Sequence, residues 1–488
     1  MKYIQNHQRP RTKAMKFGLY AMAMAVGNLV PVGISHAQEP VKLDPVVLSE
    51  FIKNRCVKCH GPKKQKGKLR LDTLGLEIGA SDHAQRWKDV YLALKDREMP
   101  PEDEPRPSKG ALVPVLKHLQ DTLKRAAERF GPGHQYRAGD IVIAAASPDE
   151  PRVESFNQNT VLAAAKYLDN GALAWMRKRK CMACHTTGTY MAERPALTPY
   201  FGSPKEEVFN KFRKGLPAKV QIGKGGGKRP VHMLIWKTLG LAQWDQHIAG
   251  KTSESTRRAL RAMFAEQAGD GSWMGYQGVR EIPHNTTRFE LAVRAAWAAS
   301  ATPDWLDQVE DIALLNRVNR MMTYLRDHKP RNDYELALKL QVGNFLSDAV
   351  SVEHRKEAIA MLRRKQKSDG GWSLRSMSAI ENWAEWKHPR DKRNLQMLRR
   401  ETDEVKSASD PYMTGFAIVL LREAGIPKTD EQIQSGIAWL KRNQRVSGRW
   451  WMKSMYKETY HFTTYMGTAQ ALKALALCDE LTASHEVE

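Results

Sequence analysis

Between residues 41 and 130 the apolar positions fall into helical runs. Asp44 stands as an N-cap with Pro45 at the first helical position, and Val47, Leu48, Phe51 and Ile52 then share one face. The pattern predicts a second helix over 84–95, a proline-rich turn over 99–107 and a closing helix over 109–128. Residues 131–154, with Gly131, Pro132, Gly133 and a later SPDEPR, read as a linker. Beyond it, amphipathic helices alternate with segments rich in small and apolar residues: TRFELAVRAAWAAS, DPYMTGFAIVLLREAGI and HFTTYMGTAQALKALAL. These read as the inner members of helix pairs, and the fold class is all-α.

The helix pairs repeat. Gln267, Gly271 and Trp273 share one spacing with Gln366, Gly370 and Trp372 and with Gln444, Gly448 and Trp450. Each Q-x-x-x-G-x-W follows an amphipathic helix. Gln can bond backbone groups at a helix end, Gly permits a tight turn and Trp buries a large ring between neighbouring repeats.

The first 37 residues differ from everything after them. Lys2, Arg9, Arg11, Lys13 and Lys16 precede an apolar stretch at 17–32, and Ser35-His36-Ala37 supplies small residues for cleavage. This reads as an export signal, which places the mature chain, from about Gln38, in the periplasm. No later segment is apolar enough to span a bilayer. The formal charge is +23, and removing the signal leaves about +18. Such a surface favours an acidic periplasmic redox protein or another anionic surface. No nucleic-acid-binding motif occurs.

Four of the five cysteines lie in two pentapeptides, Cys56-Val57-Lys58-Cys59-His60 and Cys181-Met182-Ala183-Cys184-His185. C-x-x-C-H is the attachment pattern of a c-type haem: both thiols add to the porphyrin and the histidine becomes the proximal iron ligand. A zinc ribbon would need closer pairs, and a thioredoxin-like pair needs no following histidine. Two covalent haems are therefore expected, on Cys56 and Cys59 with His60, and on Cys181 and Cys184 with His185. Cys478 is left over and is expected to pack as a small buried hydrophobe.

A second axial ligand for the first iron is offered by Met99, followed by two prolines that restrict its backbone, with His83 as the rival. The set Phe51…CVKCHGPKKQKGKLRLDT, Trp87…Val90 and EMPPEDEPRPS resembles the planctomycete-type cytochrome c domain. That resemblance covers about residues 45–128. It implies a small helical haem domain with His60 proximal and Met99 distal.

The Q-x-x-x-G-x-W turns resemble those of the squalene–hopene cyclase and prenyltransferase-like α/α-toroids. The likeness covers residues 155–483 and implies inner and outer rings of helices. The cyclase acid motif D-x-D-D is missing, and Asp410 stands alone as an expected helix cap. No prenyltransferase zinc set is present either. ALAWMRKRKCMACH aligns with GIAWLKRNQRVSGRW, so the second haem motif falls where the other repeats carry their turn. Candidates for its distal ligand are His232 and Met233, then His284 and His461. Met191 is too near His185, and the iron could also be open. IGKGGGKRP lacks phosphate-loop spacing and reads as a basic loop.

The expected function is that of a periplasmic dihaem cytochrome that transfers electrons, with the toroid as docking or ligand-binding scaffold. The alternative is a haem-dependent oxidoreductase acting on a substrate in the toroid cavity. Whether the chain is an enzyme stays open at this point.

Overall fold

In α1 (Pro45–Arg55) the Asp44 carboxylate accepts from Val46 N at 2.8 Å, the cap that the sequence predicts. The computed structural model describes residues 39–483 apart from 67–68, 79–81, 96, 98, 102, 131–133, 180–183, 215–230, 276–281, 284–286, 384, 386–397, 399–407 and 456–461. α2 (Asp82–Lys95) and α3 (Lys109–Phe130) follow, matching the predicted helices to within two residues at each end. A two-residue antiparallel pair, β1 (Val41–Lys42) with β2 (Glu77–Ile78), ties the start of this unit to its middle. Leu48, Ile52, Leu71, Trp87, Leu94 and Leu119 form its core, separate from that of the rest of the chain.

The stretch expected to be a linker carries structure of its own. β3 (His134–Ala138) and β4 (Ile141–Ala144) make an antiparallel hairpin, and Ile143 belongs to the large core. Behind it, Arg449 donates to the carbonyls of Ala144 at 2.6 Å and Ala145 at 2.9 Å, and pairs with Glu150 at 2.8 Å. A chain clamped by a buried guanidinium is part of the domain it adjoins.

The remainder is helical. α4 (Gln158–Arg179) leads to a π-helical turn, Cys184–Gly188, continuing as α5 (Thr189–Glu193). Short α6 (Thr198–Phe201) and α7 (Glu206–Arg213) precede α8 (Val231–Trp244). Next come α9 (Glu254–Ala265), α10 (Arg288–Ser300), α11 (Ile312–Asp327), α12 (Asp333–Phe345) and α13 (Val352–Lys365). The last three are α14 (Pro411–Glu423), α15 (Glu431–Asn443) and α16 (Phe462–Leu477).

Six elements pack in succession, α5–α8–α10–α12–α14–α16, and α16 returns to α5. Most of their residues are buried, as expected for helices apolar on all sides. α4, α9, α11, α13 and α15 each pack on one or two of them and carry an exposed polar face. This is an α/α-toroid.

The three repeated turns hold neighbouring pairs together in one geometry. Gln267 donates to Gly271 O at 3.0 Å and Arg317 O at 3.0 Å. Gln366 donates to Gly370 O at 2.8 Å and Gln432 O at 2.7 Å. Gln444 donates to Gly448 O at 2.8 Å and Thr160 O at 2.8 Å. Each indole reaches back to the preceding outer helix: Trp273 to Met263 O at 2.8 Å, Trp372 to Leu362 O at 2.7 Å and Trp450 to Leu440 O at 2.7 Å. Gly448 has φ +88°, and a Cβ there would lie 2.3 Å from Ala164 N, so both conformation and space require glycine. Among the described residues, no helix is long and apolar enough to cross a membrane.

Candidate haem-attachment site

The first C-x-x-C-H motif is the turn that follows α1, with Cys56 as the C-cap. Cys56 N and Val57 N both donate to Ile52 O, at 2.8 and 3.1 Å, and His60 N donates to Cys56 O at 2.9 Å. Cys56 and Cys59 are free thiols and half-buried. Burial pushes the Cys56 thiol up to about 11, so at neutral pH it stays protonated and weakly nucleophilic. Gly61 must be glycine, because a Cβ would stand 2.4 Å from Val57 O.

The segment after the motif folds back onto it. Lys66 N donates to Cys59 O at 2.9 Å and Leu71 N to His60 O at 2.8 Å. Leu71 is buried, while Arg70 grips Asp72 through two hydrogen bonds of 2.7 and 2.5 Å. That guanidinium holds the Asp72 carboxyl below its ordinary range. The backbone of His60 is thus fixed, and its Nδ1 is buried without a hydrogen-bond partner among the described residues. An imidazole held by its backbone, with a buried Nδ1 that has no partner among the described residues and two free thiols just before it in the chain, fits a covalent haem.

Lys58, inside the motif, pairs with Glu104 at 2.8 Å, and Glu104 N donates to Pro101 O at 3.0 Å, which links the motif to the turn that follows Met99. Met99 N donates to Ala93 O at 3.1 Å, which ties the turn to the end of α2. Met99 is 41 % exposed, so part of its side chain stays open to solvent. His83, the rival, lies against Gly75, where a Cβ would stand 2.9 Å from its ring.

At the second motif, Cys181 and the side chain of Cys184 lie outside the described residues. His185 occupies the π-helical turn, stacked on Phe462 at 4.3 Å and edge-on to Trp175 at 5.8 Å. α8 packs against this turn and carries His232, buried, and Met233, half-buried. Met191 is wedged under Gly240, where a Cβ would stand 2.7 Å from it, and serves packing. His284, His461 and the 222–230 loop lie outside the described residues. Cys478 is buried as expected, and burial pushes its thiol up to about 11.

The centre of the helical ring is polar, which the sequence reading missed. Arg294 pairs with Glu290 at 2.6 Å and lies over the Trp236 ring at 4.3 Å. Lys473 reaches Glu193 at 3.4 Å and Glu423 at 3.5 Å, and Gln470 donates to Glu193 at 2.9 Å. Tyr334 and Tyr412 share a hydroxyl–hydroxyl bond of 3.0 Å. The space that Thr189, Trp236, Arg294, Tyr412 and Gln470 help to enclose is about 20 Å³, room for one water. The signal was present as single charges inside otherwise apolar helices, Arg294 in AVRAAWAAS and Lys473 in ALKALAL. Asp410 is the N-cap of α14, accepting from Met413 N at 2.8 Å and from Leu374 N at 2.5 Å.

Residues 56–103 match the family model for planctomycete cytochrome C, and this part of the chain is a c-type cytochrome domain. No curated protein matches the chain. Among solved structures it is similar to the type II terpene cyclase MstE from Scytonema. A variant of that enzyme in complex with geranylgeranyl dihydroxybenzoate is 13% identical, with 66% of this chain and 100% of that chain covered at a TM-score of 0.34. The apo form is also 13% identical, with coverages of 65% and 98% and the same TM-score of 0.34. At such a score the likeness adds nothing to the toroid seen in the helices themselves.

Proposed function

We propose that the chain is an exported dihaem c-type cytochrome that transfers electrons in the periplasm, with its toroid as the scaffold for the second haem. Residues 1–37 are the export signal, 41–130 the first haem domain and 155–483 the toroid. Cys56 and Cys59 hold the first haem, His60 is its proximal ligand and Met99 its distal ligand. Cys181, Cys184 and His185 hold the second. Bound haem supplies one-electron exchange at iron.

The observation that carries this reading is His60. Its backbone is tied on both sides, its ring nitrogen is buried and unbonded, and two free thiols precede it on the same turn. The backbone bonds to Cys56 and Leu71 hold His60 in place, and the buried Leu71 and Trp87 exclude water from the core beneath. The partner is an acidic redox protein, drawn by the net positive charge of the chain.

The alternative, a haem-dependent oxidoreductase, would place its substrate in the toroid, where the described space beside Arg294 and Tyr412 has room for about one water. The test is covalent haem content after denaturing gel electrophoresis with haem staining, and by intact mass. Two haems on the exported chain are expected. None after Cys56→Ala/Cys59→Ala/Cys181→Ala/Cys184→Ala completes the result, and a single haem on the unchanged protein refutes the dihaem reading.

A further inference from the structure

The last repeated turn borders a pocket of about 310 Å³ that the electron-transfer reading leaves without a role. That volume lies at the small end of the range for ligand sites. Arg152, Arg375, Arg445 and Lys453 line it together with Trp439 and Trp451. We infer that this pocket binds a small aromatic anion, with its carboxylate or sulfonate head on the guanidinium groups and its ring against the tryptophans.

The charge argument rests on what the neighbouring acids already do. Glu150 is engaged by Arg449 at 2.8 Å and by Ser447 N at 3.1 Å. Asp369 accepts from Trp439 Nε1 at 3.0 Å, Ser409 Oγ at 2.7 Å and Gly371 N at 3.0 Å. Asp410, the acid that lines the pocket, is turned to the backbone of α14 and of Leu374. None of these carboxylates pairs with Arg152 or Arg445, and among the described residues those two guanidinium groups form no ion pair.

Arg445 donates one Nη to Glu150 O at 2.6 Å, while its Nε is buried without a partner. Arg152 runs beside it as its antiparallel bridge partner. Burial and the like charge of Arg152 outweigh the nearby Glu150 and Asp149 carboxylates and make the cationic form of Arg445 less favourable. Two adjacent guanidinium groups, one with a buried unused donor, form a fork for a planar oxyanion. Trp439 is buried and Trp451 half-buried, so the wall beside the fork is flat and apolar. An anion without a ring would leave that wall wet, and a neutral ring would leave the guanidinium groups unpaired.

The test is calorimetric titration of the full-length haem-loaded protein with 2-naphthoate, 2-naphthalenesulfonate, acetate and neutral 2-naphthamide. Saturable binding of the two aromatic anions at one site is expected, with acetate and the amide at least about tenfold weaker. Arg152→Gln, at an exposed position outside any ion pair, should weaken 2-naphthoate about tenfold with an unchanged melting temperature. Trp451→Ala should weaken it too. Because the whole chain is basic, Lys63→Gln/Lys64→Gln in the cytochrome domain is the control and should change nothing. The proposal falls if the amide binds as well as the anion, if Arg152→Gln has no effect, if the lysine control weakens binding equally, or if no aromatic anion binds. A stronger response to the sulfonate than to the carboxylate would identify the head group while leaving the site in place.

Discussion

The Gln444 side chain donates to the carbonyl of Thr160 across 2.8 Å of space and 284 residues of sequence. The other two repeat glutamines reach forward to the next outer helix, Gln267 to Arg317 and Gln366 to Gln432. Among the described residues no further outer helix follows Gln444, and it reaches the first one, α4. The same local rule that links consecutive repeats therefore closes the ring.

Gln444→Ala should then cost about 2–4 kcal/mol, since one buried and one half-buried carbonyl lose a donor. Gln267→Ala should cost a similar amount, because it removes an equivalent pair. The two variants should differ in where they open. Limited proteolysis should cut α4 faster in Gln444→Ala and not in Gln267→Ala. Equal protection of α4 in both would show that ring closure does not depend on this bond.

The charges at the ring centre give a second expectation. Arg294 and Glu290 are both buried, so removing one partner leaves an uncompensated charge. Arg294→Met should destabilise by about 3–5 kcal/mol in urea unfolding. Arg294→Met with Glu290→Leu should recover most of that loss, because a buried ion pair replaced by apolar groups of similar size is close to neutral. If the double variant is less stable than the single one, the polar centre is needed for the packing of the ring itself.

Asp410 gives stability a pH dependence. Burial raises its carboxyl to about 7, against 3.8 for the unperturbed group. The folded chain therefore holds this proton where the unfolded chain has released it. The stabilisation is fully present below about pH 4 and is lost as pH rises through about 7. Asp410→Asn keeps the cap and removes the titration. Its unfolding free energy should fall less between pH 4 and pH 7 than that of the unchanged protein, and parallel profiles would defeat the assignment.

Local chemistry was legible in the sequence wherever it repeats or caps. Asp44 and Asp410 cap helices as their positions predict, and the three glutamine–glycine–tryptophan turns make the bonds their residue types allow. Gly448 is fixed by a contact with α4 that no local pattern contains. The hairpin at residues 134–144 hid behind Gly131, Pro132 and Gly133, which signal a break and say nothing of what comes after. The Arg449–Glu150 clamp and the Lys58–Glu104 pair join residues far apart in the chain, and charge alone does not name a partner. At the second motif the sequence supplied His185, and the structure adds the Phe462 and Trp175 rings around it.

Those rings make a prediction for the proposed second haem. Phe462→Ala removes the ring stacked on His185, so the imidazole loses its rigid backing and its orientation. The variant should still carry two covalent haems, because the thiols are untouched, while its electron paramagnetic resonance spectrum changes at one haem only. Changing Cys181 and Cys184 to Ala should leave one haem and remove the same signal. Loss of both signals in either variant would mean that the two sites are not independent.

The first iron offers the sharpest choice between two residues. Met99 sits on a turn anchored by Ala93 O and by the Lys58–Glu104 pair, with its side chain partly open to solvent. His83 is packed against Gly75, and a ring so placed has little freedom to reach an iron beside His60. A thioether ligand favours the reduced state. Met99→Ala should therefore lower the potential of the first haem and abolish its sulfur-to-iron charge-transfer band, while His83→Ala leaves both in place. Glu104→Gln should act in the same direction as Met99→Ala but weakly, because the pair lies at the surface and is screened by salt. Spectroelectrochemical titration of the three variants distinguishes these effects. A potential that moves with His83→Ala and ignores Met99→Ala would reverse the ligand assignment.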